Sequence, residues 1–154
     1  MPVNIPRVVY GTITVGVLLA AETATQETYA ETVGSVALAA VLYWLAHSYA
    51  ELTAHRIDEG QPLKRAGVIQ SARQEAWILA GGVIPVLPVL IWWVAGGKLT
   101  DAVTAGIWTA AGMIVIYELV AALRAELTPW ERVAQTAVGA TLGVLVIAVK
   151  VVLH

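Results

Sequence analysis

The chain reads as an all-α, polytopic integral membrane protein: one membrane domain, a bundle of five transmembrane helices with the N-terminus cytoplasmic and the C-terminus outside. Three observations predict this class. Of 154 residues, 58% are hydrophobic and only 13% charged, and the mean hydropathy of +0.75 lies well outside the soluble norm. Five apolar stretches, about 6–23, 29–53, 76–96, 101–123 and 130–152, approach or exceed the roughly 20 residues a helix needs to cross the hydrocarbon core. Basic residues then sort to one side. With the N-terminus inside, Arg7, Arg56, Lys64, Arg65, Arg73, Arg124 and Arg132 are cytoplasmic, and only Lys98 and Lys150 of the nine lie outside.

The first stretch is the shortest, and Arg7 ahead of Val8 to Ala21 resembles the start of a secretory signal. No good small-x-small cleavage site follows, so it is read as a short first span. The second opens at Thr28 with Glu31, the capping-box pattern in which each side chain satisfies a backbone donor left free at a helix start. Between spans two and three lies the one sizeable connection, a cytoplasmic loop over about 55–75. Its Leu63, Val68 and Ile69 have helical spacing among Lys64, Arg65 and Arg73, which predicts an amphipathic interfacial helix running into the third span. That span carries Gly81, Gly82, Pro85 and Pro88 at its centre, where lost backbone donors predict a kink. The fifth opens at Thr128 with Pro129 and Glu131, a second capping box. Its Gly139-x-x-x-Gly143 forms a helix-packing face, extended by Gln135, within the protein or between copies. Trp77, Trp92, Trp93 and Trp130 fall near span ends as interfacial anchors.

One weak repeat is visible: Ala50-Glu51-Leu52-Thr53 recurs as Ala125-Glu126-Leu127-Thr128, which would place spans one and two on three and four. Biased membrane composition also produces such matches, so no duplication is assigned.

Polar residues inside the apolar stretches are the functional clue, because ionisable groups at membrane depth cost free energy and mark sites. Tyr43, His47, Glu51 and His55 follow one another at four-residue intervals down one face of the second span, and Glu118 with Tyr117 lies in the fourth. Both spans run from outside to inside. His47 and Glu118 therefore fall at one level, roughly 9 Å past the midpoint at 1.5 Å per residue. Glu51 is a turn deeper and His55 belongs to the interface. This layer predicts a proton or ion pathway through His47, Glu118, Glu51, Tyr43 and Tyr117, with His47, Glu51 and Glu118 as ligands should a divalent cation bind. The competing role is interhelical glue, with Glu118 snorkelling or paired to Arg124 and Lys150 snorkelling outward. Glu22, Glu27 and Glu31 make an acidic outer loop of the kind topology alone produces.

Several chemistries are set aside. With no Cys there are no disulfides, thiolate metal sites or iron-sulfur clusters, and the placement of the three His residues gives no intramembrane pair for haem. No H-E-x-x-H, G-x-S-x-G or phosphate-binding loop occurs, and Ser48 beside His47 does not point with it, so an enzyme is the least favoured class. A net charge of -2 with dispersed basic residues gives no nucleic-acid footprint. The expected partners are the lipid bilayer and either further copies of the chain or a larger membrane complex. Abundant Ala, Val and Gly without Phe point to GC-rich coding and a bacterial inner (plasma) membrane. The leading expectation is a small oligomeric channel or transporter for protons or small cations. The alternative is a non-catalytic accessory, assembly or structural subunit packed against a partner.

Overall fold

The computed structural model describes residues 4–22, 27–59, 65–125 and 128–153; side chains at 55, 56, 58, 59, 65–68 and 153 are outside that description. Five helices follow in order: α1 (Ile5–Ala21), α2 (Tyr29–Glu59), α3 (Arg65–Val94), α4 (Leu99–Arg124) and α5 (Pro129–Leu153). Four contain segments long and apolar enough to cross a membrane: Tyr29–Ala54, Ile69–Val94, Leu99–Arg124 and Pro129–Val152. The fifth, α1, has 17 residues and is about 25 Å long at 1.5 Å per residue.

Local chemistry explains the ends. Asn4 caps α1, its side-chain oxygen accepting from the Arg7 amide at 3.3 Å. Both expected capping boxes form: the Thr28 amide donates to Glu31 at 2.8 Å, and the Thr128 amide to Glu131 at 2.9 Å. The α3–α4 turn closes on Gly96 at φ +71°, with Gly97 N donating to Trp92 O and Gly96 N to Trp93 O. This is the paired pattern of a Schellman C-cap, whose left-handed residue is cheapest as glycine.

Successive helices run in opposite directions, and α1 lies in the middle, touching each of the other four. Its buried stripe is Val8, Gly11, Thr12, Val15, Gly16, Leu19 and Ala20, the i, i+3, i+4 pattern of one helix face. It packs along a matching stripe of α3: Glu75, Ile78, Gly82, Pro85 and Val89, spaced alternately by three and four. A Cβ on Gly11 would collide with the Ile78 carbonyl, and one on Gly81 with the Val8 carbonyl. The seam is therefore built backbone against backbone, as small residues permit in membranes. Leu19, Val36, Val89, Val103, Ile107, Ile114 and Val146 form the apolar core toward the opposite end.

One boundary is revised. Helix α2 continues to Glu59, and α3 begins at Arg65 and runs directly into the third span, whose apolar segment starts at Ile69, not 76. At Gly81, Gly82, Pro85 and Pro88, where a kink is expected, α3 continues as one helix from Arg65 to Val94. The reason is a substitution of donors. Pro85 lacks the amide that would bond the Gly81 carbonyl one turn back, and the Thr12 hydroxyl of α1 reaches that carbonyl at 3.0 Å. The two glycines serve the α1 contact.

Gly139 and Gly143 pack within the chain. Gly139 backs onto the aliphatic part of Glu118 and the Ile114 carbonyl, and Gly143 onto Ala111, so the face meets α4.

Candidate functional site

The group the structure singles out is Glu75, an acidic side chain on the buried stripe of α3. Its side chain is only 1% exposed, and two basic side chains from two other helices face it. Arg7, in the first turn of α1, places a terminal guanidinium nitrogen 2.7 Å from one carboxylate oxygen, and His47 of α2 places Nε2 3.4 Å from the other. Neither oxygen has an aligned hydrogen bond among the described residues, so the contact with Arg7 is close in distance but not in hydrogen-bond geometry. A buried carboxylate held by charge without its full set of hydrogen bonds is an expensive arrangement.

Each element brings its part for a local reason. The Trp44 indole donates to the Ala72 carbonyl at 3.1 Å and ties α2 to α3; His47, nearly one turn on, then faces Glu75. The α1–α3 glycine seam lets Arg7 come within ion-pair distance. Tyr10 of α1 packs against the α2 side, its ring 5.5 Å from Tyr43 and 5.9 Å from His47, while Tyr43 and His47 stack at 6.2 Å. Beside these rings His47 keeps 40% of its side chain accessible. Ser71, one turn before Glu75, and Ser48, next to His47, also hold buried hydroxyl oxygens without a hydrogen-bond partner among the described residues.

The expected layer is thus divided. His47 and Tyr43 join Glu75. Glu118 is held elsewhere, accepting from Gln135 Nε2 of α5 at 3.3 Å with its methylenes against Gly139. Tyr117 has Thr12 of α1 as a polar neighbour. Glu51 is half-buried with no ion pair among the described residues, and the His55 side chain lies outside them. No three His, Asp or Glu side chains among the described residues group closely enough to hold a metal ion, so His47, Glu51 and Glu118 are not a ligand set. Glu75 was missed because the apolar stretch was started after it. The alternating three- and four-residue spacing from Glu75 to Val89 carried the signal.

At the opposite end, polar contacts gather around Glu22 and Glu27. Ser35 donates to Glu22 at 2.7 Å, Thr32 to Glu27 at 3.0 Å, and Lys150 Nζ to the Glu22 carbonyl at 3.0 Å. Lys150, near the C-terminal end of α5, thus reaches the C-terminal cap of α1. Burial first, and then the neighbouring Glu27 carboxyl, raise the Glu22 carboxyl above its ordinary value.

Length and composition of the four apolar helices mark this as an integral membrane protein. Comparison with protein-family models, curated proteins and solved structures finds no match.

Proposed function

We propose that the chain is a small membrane transporter or channel for protons or small cations, with Glu75 as its ion-accepting group. The observation that carries this reading is a carboxylate almost fully withdrawn from solvent and balanced between Arg7 and His47. Intramembrane ionisable residues with a titratable neighbour are the usual parts of proton and ion pathways. In this scheme Arg7 is a tethered competitor: a proton or cation can occupy Glu75 only as the guanidinium withdraws. His47, the most exposed of the three, connects the carboxylate to water and passes protons, and Tyr10 and Tyr43 limit access to it. The site lies at the end of the bundle where α1 and α3 begin and α2 ends. The dominance of basic residues there supports a cytoplasmic placement, with the N-terminus inside and α1 as a short fifth span. Five narrow helices leave little room for a large substrate, which favours a small ion and assembly of several copies.

A second reading is an accessory subunit in which Arg7–Glu75 merely locks α1 to α3; the favouring observation is that the pair bridges the tightest seam in the molecule. Flux in proteoliposomes discriminates. Glu75→Gln should abolish ion movement and His47→Ala should slow it, while Glu118→Gln leaves it near the unmodified level. Absence of any flux from the unmodified protein, or undiminished flux from Glu75→Gln, would leave the locking role.

A further inference from the structure

On the outer face of α4 and α5, away from Glu75, a groove of about 370 Å³ is lined by Leu119, Arg132, Val133, Thr136, Ala137 and Ala140. Its walls are apolar and exposed: Leu119 is 43% and Val133 60% accessible, on helices apolar enough to cross a membrane. Arg132 at one end is different. Among the described residues no acidic side chain pairs with it, and its covered Nε has no hydrogen-bond partner. Among the described carboxylates, Glu131 is engaged by Thr128 and Glu118 by Gln135. A positive charge at the mouth of the groove, with no described carboxylate paired to it, offers an anion a place to bind.

Depth tells what kind. Trp130, two residues before Arg132, is 79% exposed in the first turn of α5, where an indole belongs at the headgroup level. Arg124, in the last turn of α4, adds a second positive charge at the same end. An anion that meets Arg132 there and also fills an apolar groove running toward the bilayer interior must carry its own hydrocarbon chain. We infer that this groove binds one anionic phospholipid, its phosphate on Arg132 and an acyl chain along Val133, Ala137 and Ala140. Basic residues between helices at the membrane surface select anionic headgroups in this way.

Native mass spectrometry of the detergent-solubilised chain titrated with phosphatidylglycerol or phosphatidylcholine tests it. The unmodified protein should retain phosphatidylglycerol about fivefold better, the effect expected of one basic residue near the surface. Arg132→Gln should bring that ratio close to one and Arg132→Lys should keep most of it. Ala140→Leu, which fills the groove, should reduce retention of both lipids. Thermal unfolding of the variants without lipid checks that each is folded. Equal retention of the two lipids by the unmodified chain, an undiminished preference in Arg132→Gln, or equal stabilisation by inorganic phosphate alone would overturn the assignment.

Discussion

Glu75 and Glu118 lie toward the same end of the bundle on apolar helices, and they are held in opposite ways. Glu75 is sealed between a guanidinium and an imidazole contributed by two other helices. Glu118 is half-buried against one neutral amide, with its methylenes filling the space left by Gly139. A carboxylate facing a neutral donor can be replaced by an amide with little loss. One facing a buried positive charge cannot, because replacement strands its partner. Depth alone makes the two residues alike; the helix face each occupies makes one a candidate site and the other a packing element.

The comparison can be broken by substitution, and the largest expected effect is at Glu75. Glu75→Gln leaves Arg7 facing a neutral group. Because Arg7 keeps 26% exposure, the loss should be about 2–3 kcal/mol of stability in detergent, at or below the low end for a fully buried pair. A double-mutant cycle with Arg7→Gln should recover part of that loss; strict additivity would show that the pair is not coupled. Next is Thr12→Val, which reopens the carbonyl orphaned by Pro85 and should cost about 1–3 kcal/mol. If combining it with Pro85→Ala, which restores an amide to bond that carbonyl, does not reduce the loss, the donor-substitution account fails. Glu118→Gln should cost under about 1 kcal/mol, since a neutral pair remains with Gln135. A loss as large as that of Glu75→Gln would erase the distinction drawn here.

The smallest effect is a pH dependence at the far end. Glu22 holds its proton more tightly folded than unfolded, so its contribution to stability is present below the ordinary carboxyl value of 4.5 and is lost as pH rises through its raised folded value. Glu22→Gln should flatten that part of the stability curve, measured by thermal unfolding between acid and neutral pH. A steeper loss toward acid in the unmodified protein, traced to this residue, would reverse the sign.

Much of the fold is legible in the sequence, for physical reasons that differ by element. The expected spans α2 and α5 lie within two residues of the observed apolar segments because Thr28–Glu31 and Thr128–Glu131 mark their starts through hydrogen bonds a reader can anticipate, and α4 does so on its hydropathy alone. The start of α3 was not, since Ser71, Arg73, Gln74 and Glu75 depress local hydropathy. Only the partner helices show that Glu75 is compensated from across the bundle. His47 was identified from its own helix, whereas its partner required knowing that α2 packs on α3 and α1. Periodicity gives the face of a helix but not its neighbour. Helix α3 continues through Gly81 to Pro88, with Thr12, 69 residues from Gly81, supplying a donor to the Gly81 carbonyl.

Proton movement into pH-jumped proteoliposomes, compared for the unmodified chain, Glu75→Gln and Glu118→Gln at equal reconstitution, tests the central claim most directly. The account predicts flux in the unmodified protein and in Glu118→Gln, and none in Glu75→Gln. Flux that survives Glu75→Gln but is lost in Glu118→Gln would contradict it.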